Sequence, residues 1–140
     1  MTTNAVTKDA ATTETTALDA VMKPHHLIAS DRVEGTTVRR PNGDKVGHIE
    51  RLMIDKATGQ VAYAILSFGG FLGLGSNLIP LPWASLTYDP ELGAYQLDID
   101  EAELKRAPSF MADKDFDWGD RTREEDLHRY YGMPPYWVGY

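Results

Sequence analysis

A mainly β fold, a small antiparallel β-barrel or sandwich followed by short C-terminal helices, is what this sequence predicts. Three observations carry it. Short apolar segments recur between Thr36 and Leu97. Turn signals separate them at Pro41-Asn42-Gly43-Asp44, Lys56-Ala57-Thr58-Gly59 and Asp89-Pro90-Glu91-Leu92-Gly93, and connections this short suit hairpins between antiparallel neighbours. Residues 60–68 are apolar on both alternating sets, Val61, Tyr63 and Ile65 against Ala62, Ala64, Leu66 and Phe68, which predicts a central strand covered on both faces.

The elements follow in chain order. Residues 1–24 are rich in Thr and Ala, with Asp9 and Asp19 among them, and hold few large apolar side chains. Burial there cannot offset the entropy of ordering, so a disordered N-terminal tail is expected, with Pro24 ending any helical turn around 17–22. A first strand is expected over 36–39, and Asn42-Gly43 supplies the positive φ of a tight turn. Residues 45–55 read as a long strand whose alternation slips between Val46 and Ile49, as a bulge near Gly47 would cause. Residues 78–81 form the next strand, and Pro80, which has no N–H, requires an edge or a bulge beside it. Strands over 86–88 and 94–97 flank the last hairpin turn. A short helix over 101–106 starts at Asp100 and ends before Pro108.

The last third has another texture. Residues 113–120 make an acidic loop, and 122–131 read as a helix with Thr122 as N-cap and Glu125 at the capping-box spacing. Gly132 stops it, and Met133-Pro134-Pro135-Tyr136-Trp137 forms an extended aromatic end. The expected organisation is a tail (1–24), a barrel (25–107) and an acidic, aromatic extension with one helix (108–140).

Composition narrows the function classes. The 140 residues are 42% hydrophobic and 25% charged, the ordinary globular balance. There is no cysteine, which excludes disulfides and thiolate metal sites and fits a reducing compartment. A net charge of −7 lacks the electrostatic footprint of a nucleic-acid binder. Residues 27–107 and 108–140 each carry net −3, so the extension is the more acidic per residue. No apolar run reaches the ~18–20 residues that span a bilayer. The N-terminus has neither the pattern of a secretory signal nor that of a transit peptide, so a cytoplasmic location is expected.

The chain resembles the PRC-barrel family, named after the cytoplasmic domain of the photosynthetic reaction-centre H subunit. The matching residues are Gly47-His48-Ile49-Glu50 with Ile54-Asp55, then Thr58-Gly59-Gln60-Val61-Ala62-Tyr63-Ala64, then Ser67-Phe68-Gly69-Gly70-Phe71-Leu72-Gly73 and Ile79-Pro80-Leu81-Pro82-Trp83. The resemblance covers roughly residues 27–107. It implies a compact β-barrel used as an assembly or adaptor module. In the family this barrel also closes a ribosome-maturation factor and occurs as stand-alone proteins. Unlike the reaction-centre subunit, this chain shows no membrane helix, and the extension's role does not carry over from the barrel.

Gly69, Gly70, Gly73 and Gly75 match no dinucleotide fingerprint, and a strand rather than a helix follows, so they are expected to be turn geometry. Phe71, Leu72 and Leu74 beside them either fold over the barrel end or stand out as a docking patch. His25, His26, His48 and His128 have no zinc-ligand spacing. Asp113, Asp115, Asp117 and Glu124 fall at positions one, three, five and twelve of a calcium loop, but Trp118 occupies the glycine position and Asp120 replaces the apolar residue. There is no cysteine nucleophile, and Ser67, Ser76 and Ser85 lack the Gly-x-Ser-x-Gly elbow. Tyr130, Tyr131, Tyr136 and Trp137 are the large amphipathic side chains that anchor interfaces, whether on their own barrel or on another chain. The expectation is therefore a non-enzymatic module without cofactor or resident metal. It would act through protein contacts and self-associate as a homodimer or higher oligomer. One alternative is a small-ligand or calcium-binding protein using loop 113–120. Another is a ribosome or RNA-processing accessory that works through a protein partner, since an acidic chain does not suit direct RNA contact.

Overall fold

The computed structural model describes residues 26–69, 77–111 and 115–139. In chain order these form α1 (Ser30–Val33), β1 (Thr37–Arg39), β2 (Lys45–Ile54), β3 (Val61–Phe68), β4 (Asn77–Pro82), a 3₁₀ turn (Trp83–Ser85), β5 (Leu86–Asp89), β6 (Ala94–Leu97), α2 (Glu101–Arg106), β7 (Phe110–Met111), α3 (Arg121–Tyr131) and a second 3₁₀ turn (Tyr136–Gly139). The predicted tail over 1–24 lies outside the described residues.

The strands join one sheet in the order β5-β6-β1-β2-β3-β4-β7. The chain itself forces that sheet to curl. Only the turn Trp83–Ser85 links β4 to β5, yet the two are five places apart in the sheet order. On a flat sheet five strand spacings are about 24 Å, whereas the linker reaches about 15 Å. Curling brings the Trp83 ring, just past β4, within 5.4 Å of Tyr95 on β6. Val38, Ile49, Ala64, Leu66, Ile79, Leu81 and Leu97 fill the interior, and Leu104 of α2 packs into it. β3 is buried along nearly its whole length, as its two apolar sets predict.

The sheet is mixed rather than purely antiparallel. β1 and β6 pair in parallel, Val38 opposite Tyr95 and Arg39 opposite Gln96, while every other pairing among the described residues is antiparallel. Hairpin logic describes neighbours in sequence, and the β1–β6 contact is instead a consequence of the curl. A bulge lies next to Gly47, as the slipped alternation predicts. Val38 faces Gly47 and Arg39 faces Lys45, so Val46 is the unmatched residue. A second irregularity leaves Glu50 unmatched between Ile49↔Leu66 and Arg51↔Ile65.

Gly47 is needed because the backbones approach closely there. A Cβ at this position would land on the Ser67 carbonyl oxygen, with Ser67 C at 3.2 Å and Leu66 Cδ1 at 3.3 Å. Among the described residues β7 pairs with Asn77 and Leu78 alone, so Pro80 sits where no described strand lies on the outer side of β4. The N-cap of α3 is Asp120, not Thr122. The Thr122 N–H donates to Asp120 Oδ1 at 2.9 Å, which moves Thr122 into the first turn. Gly132 ends the helix in the left-handed conformation at φ +65°. Among the described residues no helix is long and apolar enough to cross a membrane.

Candidate functional site

α3 carries a stripe at positions i, i+3, i+4 and i+7: Glu124, Leu127, His128 and Tyr131. Such spacing places all four on one helical face. Here that face turns toward the barrel, where Leu127 packs with Ala62 and Tyr63 of β3. Phe116, Trp118, Tyr131 and Tyr136 pack around the same cluster. The extension thus forms a second layer on β3, outside the main core.

Two polar side chains enter this layer, and the Tyr63 hydroxyl bridges them. It donates to Glu124 Oε1 at 2.8 Å and lies 2.8 Å from His128 Nε2. A hydroxyl has one proton. With that proton given to the carboxylate, His128 must donate its own Nε2–H to the Tyr63 oxygen, which fixes the tautomer and leaves Nδ1 a bare acceptor. Burial lowers the His128 pKa, with the Glu124 charge opposing, so the imidazole is neutral near pH 7. Burial raises the Tyr63 pKa far above the ordinary phenol range, reinforced by its bond to Glu124 and by that group's charge. A hydroxyl held protonated this firmly acts as a hydrogen-bond bridge between barrel and extension, and it is a poor base or nucleophile at neutral pH.

Aromatic contacts complete the layer. Tyr63 has its ring centroid 5.0 Å from Trp118, 5.3 Å from His128 and 5.6 Å from Tyr136, the last at 87°. His128 meets Trp137 edge-on at 5.6 Å. Arg121 stacks 3.9 Å above the Trp137 ring, and its guanidinium lies beside Tyr136. Three polar atoms of this layer, Trp118 Nε1, His128 Nδ1 and Tyr131 Oη, are buried without a partner in the described structure. A cleft of ≈290 Å³ opens where the layers meet, lined by Tyr63, Trp118, Glu124 and Tyr136 among others.

The structure sorts the sequence candidates. Tyr131, Tyr136 and Trp137 pack against their own chain. Tyr130 is 39% exposed, and its hydroxyl donates to the Glu103 carbonyl, tying α3 to α2. Phe71, Leu72 and Leu74 lie outside the described residues, as does Asp113. Asp115 and Asp117 are exposed and accept from the backbone N–H groups of Phe116 and Gly119. Glu124, the twelfth position of the calcium spacing, faces inward onto Tyr63 and is 5% exposed. Among the described residues no group of three acidic or histidine side chains could hold a metal ion.

Sequence reasoning did not bring Tyr63, Glu124 and His128 together. The usable signal was the helical stripe, in which two polar residues share a face with Leu127 and Tyr131. Such a face is buried only if the polar members find partners.

Comparison with known proteins adds one finding. A family model described as the PRC-barrel domain matches residues 25–104. No curated protein matches the chain.

Proposed function

The chain belongs to the PRC-barrel family, and from that premise we propose that it is a non-enzymatic, cytoplasmic protein-contact module that pairs with a second copy of itself along the β5 edge. The observation that carries this reading is the open strand. Among the described residues β5 is paired with β6 alone, so one row of its backbone groups meets no other described strand. An edge of that kind is a template for another strand. Large apolar side chains stand beside it, Tyr88 at 43% and Leu92 at 55% exposure. The aromatic residues of the extension offer less, because most of them pack on their own barrel.

Sedimentation equilibrium over a range of concentrations tests the reading. The wild-type chain is expected to show a monomer–dimer equilibrium, and Tyr88→Lys, which places the charge that natural sheets use to block edge pairing, is expected to be monomeric. A wild-type chain that stays monomeric, or a dimer that Tyr88→Lys leaves intact, would overturn it.

A further inference from the structure

We propose that the cleft between β3 and the extension binds a small organic ammonium ion. Its walls come from both layers, with Met53 and Tyr63 from the barrel and Trp118, Glu124 and Tyr136 from the extension. Three aromatic rings meet there at unlike angles. Trp118 is tilted 35° from Tyr63, and Tyr136 stands at 87° to it, so the three rings that line the space do not share one plane. The negative face of an aromatic ring attracts a cation, and several rings around one volume favour alkylated ammonium over a hydrated metal ion.

The charge of the lining points the same way. Asp55 and Lys56 also line the cleft and oppose each other in sign, which leaves Glu124 as the uncompensated charge of the lining itself; the Arg121 guanidinium, outside the lining, lies over the Trp137 ring and beside Tyr136. Glu124 is 5% exposed and uses Oε1 to accept from Tyr63. A carboxylate has acceptor capacity beyond one hydrogen bond. A cation in the cleft would meet that carboxylate where water is scarce and the attraction is correspondingly stronger. The extension already shows this chemistry nearby, since Arg121 lies 3.9 Å over the Trp137 ring. At ≈290 Å³ the space suits a compact head group better than an extended ligand.

The probe is choline, with 3,3-dimethylbutan-1-ol as the neutral compound of the same shape. Tryptophan emission and amide NMR shifts of the full chain are followed during titration. Choline is expected to give a saturable response confined to residues around Tyr63, Trp118 and Tyr136, with the neutral compound at least about tenfold weaker. Glu124→Gln, which can still accept from Tyr63, is expected to weaken choline binding by about tenfold without weakening the alcohol. Should that variant fail to fold, Tyr136→Leu is expected to weaken choline in the same way. No saturable response below about 100 mM choline, or equal binding of the two compounds, would overturn the proposal.

Discussion

Gly47→Ala is expected to destabilise the protein by about 3 kcal/mol, near the upper end of what overpacking costs. That is roughly 10 °C in Tm for a domain of this size. The reason is local and rigid. The new methyl group would fall on the Ser67 carbonyl oxygen of β3, with Ser67 C 3.2 Å away. Both are backbone atoms of a strand buried on both faces, so neither can swing aside as a surface side chain would. Relief requires β2 to separate from β3, which breaks the Gly47↔Phe68 and His48↔Ser67 pairing beside the bulge at Val46. Gly119→Ala is the matched control. A Cβ there would meet only Asp117 Oδ1 at 3.5 Å, an ordinary contact, so its effect should stay within about 0.5 kcal/mol. Urea unfolding of the two variants beside wild type gives the comparison. Equal stabilities for the two would mean that the β2–β3 approach is looser than described.

Leu127→Ala is expected to cost about 2–5 kcal/mol, the range for removing a buried leucine. Leu127 is fully buried and is the apolar centre of the contact between α3 and β3. Its loss leaves a cavity beside Tyr63 and the hydrogen bonds to Glu124 and His128. Those bonds lose strength once water reaches them. Tryptophan emission should shift to the red before the barrel unfolds, because Trp118 and Trp137 belong to the loosened layer, whereas Trp83 packs on Tyr95 in the main core. A change below about 1 kcal/mol, or a single transition with no early spectral shift, would show that the extension does not depend on this contact.

The barrel was legible in the sequence because its signals are local. The two apolar sets of β3 announce a strand buried on both faces, and the Asn42-Gly43 and Asp89–Gly93 turns punctuate the strands around it. The resemblance to a known family covers this same region. The parallel pairing of β1 with β6 was not legible, since it arises from the curl and not from any hairpin. Nor was the second layer. Tyr63 meets Glu124 and His128 across 61 and 65 residues of chain, and no periodicity within either segment reports the other. Read by spacing alone, Glu124 fell at the last position of a calcium loop. Spacing does not say which way a helix turns, and the helix turned this carboxylate onto the barrel. Asp120 displaced Thr122 as N-cap for a similar reason, because two adjacent cap formers compete and only the backbone conformation chooses.

The central claim is that the aromatic extension closes on the barrel of its own chain, which leaves the sheet edge for contact with other copies. Isotope-filtered NMR measures this directly. Uniformly ¹³C-labelled and unlabelled chains are unfolded together, mixed in equal amounts and refolded. The account predicts cross-peaks between the Tyr63 ring and the Trp118 and Tyr136 rings within labelled chains, and none between a labelled and an unlabelled chain. Filtered cross-peaks between labelled Tyr63 and unlabelled Trp118 or Tyr136 would contradict it and show that the extension is exchanged between partners.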